Sequence, residues 1–304
     1  MRDSVLITGG SGLLAVNWGV IERDRRRVIL GLHERLITLA RIEARPIQIN
    51  STDNVLRALD AVMPRLVVHT AGLTNVEMCE RYPSLAQEIN VNMASNVARA
   101  CAQRQVSLVH ISTDHLFNGD RPLMDETQPL SPLNVYAASK AAAEVEVLAA
   151  NPNALVIRTN FYGWGPRYRR SFSDGIISAL RSGTQITLFT DVFFTPILIE
   201  SLVIAVHDLV RSGSSGIFNI VGDERLSKHA FGIALAEQAG LDSTLIKAGS
   251  ILDRPELIGR PLDMSLDNSK VCDKLGRKLG AVVGEITRLL QQETMGLAGE
   301  IKNL

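Results

Sequence analysis

The sequence is poor in cysteine, and its charges of opposite sign cancel. The 304-residue chain has three cysteines, Cys79, Cys101 and Cys272, at no regular spacing. Because the cysteines are few, odd in number and irregularly spaced, the sequence predicts neither a disulfide framework nor a zinc site. We expect the three thiols to be buried, in a protein of a reducing compartment. Lys and Arg total 32, as do Asp and Glu, so no net field favours a nucleic-acid or membrane partner.

Long apolar runs are also missing. The apolar run that follows Met1-Arg2-Asp3 is about five residues long, too short for the core of a signal peptide, and no later run is long enough to span a membrane. We therefore expect a cytoplasmic protein. Apolar residues make up 46% and charged residues 21%, as in ordinary globular chains. The length allows one large domain or two closely joined ones, and no linker separates them.

Short apolar runs alternate with helical patterns through the first half of the sequence. This alternation predicts an α/β fold, with a Rossmann-type doubly wound parallel sheet. Ligands of such sheets bind beyond the carboxyl ends of the strands. We predict strands over residues 4–7, 27–32, 47–50, 66–69 and 106–111, and helices over 13–23, 54–62 (capped by Asp53) and 86–103.

A glycine-rich turn, Thr8-Gly9-Gly10-Ser11-Gly12-Leu13-Leu14-Ala15, follows the first predicted strand. Gly9 and Gly12 allow a tight turn and close backbone approach, and the next segment reads as a helix. A strand, a glycine turn and a helix N-terminus together form a cradle for phosphate groups. Ala15 replaces the third glycine of the dinucleotide pattern, at a position that serves helix–strand packing. A plain turn in a β–α unit is the alternative interpretation.

The end of the second predicted strand bears on cofactor choice. The sequence there is Gly31-Leu32-His33-Glu34-Arg35. Arg35 suits the 2′-phosphate of NADP(H), whereas Glu34 suits the ribose diol of NAD(H). A charged loop without a ligand is the third interpretation. We favour NADP(H).

Two more features lie at predicted strand ends. Thr70-Ala71-Gly72-Leu73-Thr74 follows the fourth strand, and its small residues let a cofactor lie against the backbone. His69 is expected to pack within that strand. Thr113 follows the fifth strand. Because the Gly9 turn, Ala71-Gly72 and Thr113 share the carboxyl edge of the sheet, we expect them to line one crevice.

The segment Asn134-Val135-Tyr136-Ala137-Ala138-Ser139-Lys140 begins a predicted helix over residues 137–150. Tyr136 and Lys140 are four residues apart and share a helical face. A free phenol has a pKa of about 10, and a nearby ammonium lowers it and eases proton donation. With the Thr113 hydroxyl beside them, the pair suits carbonyl–alcohol chemistry. Alone, Tyr-x-x-x-Lys also fits an ordinary exposed helical turn.

The second half is less regular. Arg167, Arg169 and Arg170 form a basic cluster that suits either a diphosphate or a solvated loop. Thr195-Pro196 is predicted to open a helix, with proline at its start. Other predicted strands span 154–158, 186–189 and 216–222, and other predicted helices span 172–181 and 229–239.

These motifs together resemble those of the extended short-chain dehydrogenase/reductases. The resemblance is strongest to the dTDP-4-dehydrorhamnose reductase group, which also includes the regulatory β subunit of methionine adenosyltransferase. It spans nearly the whole chain and is carried by the Gly9 turn and four later motifs. These are Ser112-Thr113-Asp114-His115-Leu116-Phe117, Ser131-Pro132-Leu133-Asn134-Val135-Tyr136 with Lys140, Arg158 with Tyr162-Gly163, and Gly259-Arg260-Pro261 with Ser265-Leu266-Asp267.

The resemblance implies NAD(P)H-dependent reduction of a 4-keto-6-deoxy sugar nucleotide at C4. In this chain it makes Tyr136 the general acid, Lys140 the holder of the nicotinamide ribose, and Thr113 the partner of the keto oxygen. It also implies a homodimer. The magnesium-dependent dimer contact of the group is not identifiable in this sequence, so no metal site is predicted. The implied cofactor-binding residues are Gly9, Gly12, Leu13, Arg35, Ala71, Gly72, Thr74, Tyr136 and Lys140.

The resemblance further implies a Rossmann domain over 1–160 and a smaller substrate-binding lobe over 161–304, with about 196–222 returning to the first domain. Two other functions stay open. A sugar-nucleotide epimerase or dehydratase would use the same fold, although dehydratases commonly place an acid pair after the threonine and here His115 follows Asp114. A non-catalytic, NADP-binding regulatory subunit would keep the fold in order to bind a partner. Phe194-Thr195-Pro196 reverses the Pro-Thr order common in the group, so substrate contacts there are not carried over.

Overall fold

The computed structural model describes residues 3–257 and 259–304. Its first half alternates strands and helices as the sequence predicts. In chain order the elements are β1 (Ser4–Thr8), α1 (Leu13–Glu22), β2 (Arg27–Leu32), β3 (Glu43–Pro46), α2 (Thr52–Val62), β4 (Leu66–His69), α3 (Val76–Arg81), α4 (Pro83–Ala86), a π-helical turn (Gln87–Asn92), α5 (Met93–Arg104), β5 (Ser107–Ile111) and α6 (Val135–Ala150).

The second half has shorter strands and longer connections. Its elements are β6 (Leu155–Arg158), β7 (Phe161–Tyr162), α7 (Phe172–Arg181), β8 (Ile186–Phe189), β9 (Phe193–Phe194), β10 (Ile197–Leu198), α8 (Ile199–Arg211), β11 (Gly216–Asn219), β12 (Leu226–Ser227), α9 (Lys228–Gln238), β13 (Ile246–Gly249), α10 (Ser269–Leu275), α11 (Val282–Thr294) and α12 (Leu297–Lys302). None of the helices in the described residues is both long and apolar enough to cross a lipid bilayer.

Seven strands form one parallel sheet in the order β11-β6-β5-β4-β1-β2-β3. The chain moves outward from β1 to β2 and β3, then returns to add β4, β5 and β6 on the other side of β1. This reversal between β1 and β4 is the point at which doubly wound sheets open a ligand crevice. The predicted α/β class and parallel sheet are confirmed.

Each face of the sheet carries its own hydrophobic core, because successive side chains of a strand point to opposite faces. Ile7, Val68 and Val109 belong to the core shared with α1 and α8. On the other face, residues of the same strands belong to the core shared with α2, α5 and α6; they are Leu6, Val67 and Leu108. All three cysteines are free thiols, and Cys272 is half-buried where a buried thiol was expected.

The prediction of a third strand over 47–50 is wrong. The third strand of the structure is β3, which pairs with β2 from Ile29↔Glu43 to Leu32↔Pro46. It forms the edge of the sheet and its side chains are mainly exposed, so no apolar run marks it. Ile47 and Ile49 produced the apolar pattern because they pack, partly buried, against the core just beyond the strand.

Two predicted helix starts are also wrong. Ser51, not Asp53, caps α2, since the Ser51 Oγ accepts a hydrogen bond from the Asn54 backbone N–H at 3.2 Å. Pro196 does not open a helix, because Ile197–Leu198 first pair with β7 as strand β10, and α8 begins at Ile199.

Candidate active site

A cleft of about 510 Å³ opens at the carboxyl ends of β1, β4 and β5. Most of the site residues predicted from the sequence line it, whereas Gly9 and Arg35 lie outside the lining. A larger cavity of about 960 Å³ lies at the amino ends of the strands and is lined by ion pairs such as Arg27–Glu43. The smaller cleft is the candidate active site, because it brings together most of the predicted site residues; they are Gly12, Leu13, Ala71, Gly72, Thr74, Thr113, Tyr136 and Lys140.

The glycine turn forms one wall of this cleft. Gly12 is the N-cap of α1, and neither a side-chain cap nor an acidic residue occupies the first turn of that helix. The first backbone N–H groups of α1 and the positive end of its dipole are therefore available to an anion. Gly9 lies outside the lining of the cleft, and its backbone is in the left-handed region with φ 69°. A Cβ there would lie 2.7 Å from the Ala71 backbone nitrogen, so the glycine lets the two loops meet.

We expect Gly9→Ala to lower the free energy of unfolding by more than left-handed strain alone, which is about 1–2 kcal/mol. The added methyl group must also displace the Ala71 backbone. Gly183→Ala is the matched control, because Gly183 has a φ of 68° but open space around its Cβ position. Urea unfolding of both variants measures the difference, and equal losses would contradict the close approach at Ala71.

A buried asparagine holds the loop that follows β4. Asn90, in the π-helical turn, accepts a hydrogen bond from the Leu73 backbone N–H at 2.7 Å and donates to the Leu73 carbonyl at 3.0 Å. It also donates to the Ser139 Oγ on α6 at 2.9 Å. π-Helical turns occur frequently at functional sites. The sequence marks Asn90 only as a polar residue within a helical pattern, so its function as a clamp was not predicted.

Tyr136 lies in the first turn of α6 and is 8% exposed. Asn134 fixes the start of that helix by accepting from the Ala137 backbone N–H at 2.8 Å. Burial raises the pKa of Tyr136 to about 12, while the neighbouring Thr113 hydroxyl opposes the rise. Thr113, at the end of β5, is itself 5% exposed. The two hydroxyl groups therefore lie together in the cleft with the phenol protonated at neutral pH.

The predicted lowering of the tyrosine pKa by Lys140 is wrong for this structure. The Lys140 ammonium donates to the Ile111 carbonyl at 2.7 Å, so it is held by the end of β5, and the burial of the phenol dominates. Burial also lowers the pKa of Lys140 to about 8, and Glu144 opposes that change.

His115 and Asp114 lie beside the hydroxyl pair, and Lys228 lies near Asp114. The His115 ring packs edge-on against Tyr136 with a centroid distance of 5.7 Å, and its buried Nδ1 has no hydrogen-bond partner in the described residues. Asp114 is buried and accepts a hydrogen bond from Asn160. Lys228 lies over the Phe194 ring at 3.3 Å, and burial lowers its pKa to about 8, an effect that Asp114 opposes. We predicted no function for Lys228 from the sequence, because its proximity to Asp114 depends on tertiary packing.

The arginines of the cleft come from distant parts of the sequence. Arg169 donates to the Thr74 Oγ1 at 2.5 Å, and Arg260 donates to Glu77 at 2.5 Å, so both reach across the mouth of the cleft. Arg167 and Arg170 line a different cavity. The predicted basic cluster is therefore divided between two surfaces.

Arg35 is exposed and lies beside the glycine turn rather than in the cleft lining. Its guanidinium stacks over the Tyr168 ring at 4.0 Å. The Tyr168 hydroxyl in turn donates to the Ser11 carbonyl at 2.9 Å. Tyr168 thus links Arg35 to the turn, a contact that local sequence patterns do not reveal.

Comparison with known proteins shows which proteins this chain is similar to. A family model described as RmlD substrate binding domain matches residues 1–295. The chain is 29% identical over 275 residues to the probable low-salt glycan biosynthesis reductase Agl14 of Haloferax volcanii, covering 89% of this chain and 91% of that protein. It is 26% identical to a dTDP-4-dehydrorhamnose reductase of Aggregatibacter actinomycetemcomitans, covering 90% and 93%. The crystal structure of a dTDP-4-dehydrorhamnose reductase from Bacillus anthracis in complex with NADP superposes with a TM-score of 0.81 at 23% identity, covering 96% and 100%.

Proposed function

Because the chain belongs to the RmlD substrate binding domain family, we propose that it is an NADPH-dependent reductase of a 4-keto-6-deoxy sugar nucleotide. The reaction transfers hydride from the nicotinamide to the C4 carbonyl, and Tyr136 donates the proton. The observation that carries this proposal is the pairing of the Thr113 and Tyr136 hydroxyls in one cleft, with the phenol kept protonated by a pKa of about 12. Two relatives of similar length are named as reductases, one of them acting on dTDP-4-dehydrorhamnose.

The cofactor fits the residues present. The uncapped N-terminus of α1 offers backbone N–H donors to a pyrophosphate, and Leu13, Gly72 and Thr74 line the adjoining wall. Gly9 lets the turn lie close against the Ala71 backbone. NADPH supplies the hydride when it is bound. Thr113 and Tyr136 bind the keto oxygen, which draws electrons from the carbonyl carbon, and the Tyr136 proton then neutralises the oxygen. Lys140 contributes a cation at the ribose end of the cleft.

The substrate occupies the remainder of the cleft in this proposal. Arg169 and Arg260 are the cations at its mouth, and guanidinium groups bind phosphate oxygens in a bidentate manner. We assign residues 1–160 to cofactor binding and 161–304 mainly to substrate binding, with about 196–222 belonging to the first unit. The last assignment is supported by β11, which pairs with β6 in the main sheet. We also propose a homodimer, which sedimentation would test.

The first experiment is a fluorescence titration of the purified protein with NADPH and NADH, followed by a panel of 4-keto-6-deoxy sugar nucleotides. Substrate-dependent, stoichiometric oxidation of NADPH is the expected result. Cofactor binding with conversion of sugar but no net oxidation would replace the reductase with an epimerase or dehydratase. Binding without any turnover would favour a regulatory subunit. Failure to bind either cofactor would contradict the assignment of the glycine turn.

Arg35→Gln is expected to weaken NADPH binding at least about tenfold and leave NADH binding unchanged, since one charge-assisted hydrogen bond to the 2′-phosphate is lost. The same titration measures both dissociation constants. Arg25→Gln, at another exposed arginine, is the control. If the ratio of the NADPH and NADH dissociation constants is unchanged in Arg35→Gln, Arg35 does not determine the choice of cofactor. A loss of NADH binding in Glu34→Gln would then assign the ribose diol to Glu34.

A further inference from the structure

A row of polar side chains crosses the sheet beneath Lys140. Thr8 pairs with His69 on the neighbouring strand β4, and His69 pairs with His110 on β5. All three side chains are at most 2% exposed. Two residues earlier on each strand, at positions that point to the same face, the side chains are apolar; they are Leu6, Val67 and Leu108. The polar row lies at the level at which Lys140 reaches the sheet.

The two histidines of this row are neutral. Burial is the main cause that lowers the pKa of His69, to about 3, and that of His110 well below its usual value; the nearby Lys140 charge adds to both shifts. Each ring therefore has one N–H donor and one nitrogen acceptor. The His69 Nδ1 is hydrogen-bonded to the Thr8 Oγ1 at 2.7 Å, and the rings stack at a centroid distance of 5.4 Å.

The Lys140 ammonium has three N–H donors, and two of them meet the end of β5. One donates to the Ile111 carbonyl at 2.7 Å, and the other faces the His110 Nε2 at 3.5 Å. Hydrogen bonds of unliganded active sites are often long and shorten when ligands bind. With two donors held by one strand, the direction of the third is fixed. Lys140 itself lines the cleft, so that third N–H faces the ligand side.

We propose that His110 is a positioning residue for the reduction, which accepts a hydrogen bond from Lys140 through Nε2 and thereby aims the remaining N–H of Lys140 into the cleft. This inference rests on the proposed function for its kinetic consequences, but its geometry is testable without turnover. If this position were purely structural, an apolar side chain such as that of Leu108 would fill it without the free-energy cost of burying an imidazole.

The other charged and titratable groups near Lys140 set the direction of its pH dependence. Glu144, one turn further along α6, raises its pKa, and Arg158 of β6 neutralises Glu144 in turn. Tyr136, one turn earlier on α6, stays protonated. Lys140 therefore loses its charge as the pH rises through about 8. Removal of the His110 acceptor destabilises the ammonium and moves that loss to lower pH.

The first test is the tautomer of His110 in the unmodified protein, read from a two-dimensional ¹⁵N–¹H multiple-bond NMR spectrum at pH 7 with labelled histidine. His110→Gln identifies the signal. The proposal requires the proton on Nδ1, so that Nε2 is free to accept. A proton on Nε2 would overturn it. If the Nδ1–H tautomer is found in a protein that oxidises no NADPH with any sugar, the positioning by His110 stands and the reductase proposal fails.

The second test compares three variants by kcat, by KM for the sugar nucleotide and by pH profile. His110→Phe keeps an aromatic ring but removes the acceptor, and we expect kcat to fall about tenfold with KM within about twofold, since a hydrogen bond to a charged group is lost. The midpoint of the alkaline limb in its plot of kcat against pH should lie about one pH unit lower than in the unmodified protein. His110→Gln, which restores an acceptor near the Nε2 position, should recover both.

His69→Gln is the matched control, because it alters the same row without a hydrogen bond to Lys140, and its profile should match that of the unmodified protein. Equal effects in His69→Gln and His110→Phe would show a general packing role and overturn the proposal. Failure of His110→Gln to recover the alkaline limb would also overturn it. If His110→Phe does not fold, the tautomer and the His110→Gln profile still decide.

Discussion

Tyr136→Phe is expected to lower kcat for keto-sugar reduction by roughly 10²–10⁴-fold, which is the typical contribution of one general acid. The phenol is the proton donor of the proposed reaction, and burial holds its pKa at about 12, so the proton is present throughout the neutral range. Phenylalanine keeps the ring that packs against His115. The NADPH dissociation constant should therefore stay within about twofold, because only the hydroxyl is removed.

Single-turnover measurements with saturating NADPH isolate the chemical step in this comparison. Tyr162→Phe is the matched control, since Tyr162 is also buried but its hydroxyl lies outside the cleft and has no hydrogen-bond partner in the described residues. Its kcat should be unchanged. A Tyr136→Phe variant as active as the unmodified protein would exclude Tyr136 as the acid. A comparable loss in both variants would indicate a packing effect instead.

The buried strands of this fold were predictable because their apolar runs are continuous. β2 and β4 have the predicted bounds, and the bounds of β1 and β5 differ by one residue. The bounds of β8 were also predicted correctly, although only Leu188 of that strand is buried. β3 was missed because an edge strand with exposed side chains has no such run. The start of α8 was misplaced because Pro196 is compatible with a helix start, whereas the pairing of β10 with β7 depends on contacts across the fold.

The cleft was predictable where the chemistry is local in sequence. Thr113 at a strand end and the Tyr136–Lys140 spacing are visible in the sequence, and the structure brings all three to one cleft. Asn90 and Lys228 were not assigned functions, since each meets the site through contacts from distant segments. The direction of the Tyr136 pKa was also wrong, because spacing alone reports neither the burial of the phenol nor the hydrogen bond that holds the Lys140 ammonium.

One buried charge pair links the stability of the sheet to the site. Arg158, predicted in a buried strand, donates to Glu144 through Nε at 3.0 Å and through Nη2 at 2.7 Å. Both side chains are 2% exposed. A buried pair of this kind costs desolvation when it forms, so its loss is most harmful when one partner remains. Glu144 also raises the pKa of Lys140, one turn earlier on α6.

Glu144→Gln is therefore expected to lower the free energy of unfolding by about 3–5 kcal/mol, since it leaves the Arg158 charge buried without its counter-ion. Urea unfolding at pH 7 measures the loss. Glu146→Gln makes the same chemical change on an exposed residue of the same helix and should cost less than about 0.5 kcal/mol.

The double variant Glu144→Leu, Arg158→Met separates the effect of the ion pair on stability from the effect of Glu144 on the pKa of Lys140. It removes both charges, so it should recover most of the stability lost in Glu144→Gln, because apolar replacement of a whole buried pair is often neutral or stabilising. It should still lack the carboxylate that raises the pKa of Lys140, and the alkaline limb of kcat should lie at lower pH than in the unmodified protein. A stable double variant with an unshifted limb would show that Glu144 acts on the fold alone. A shifted limb would show that the same carboxylate also sets the charge of Lys140.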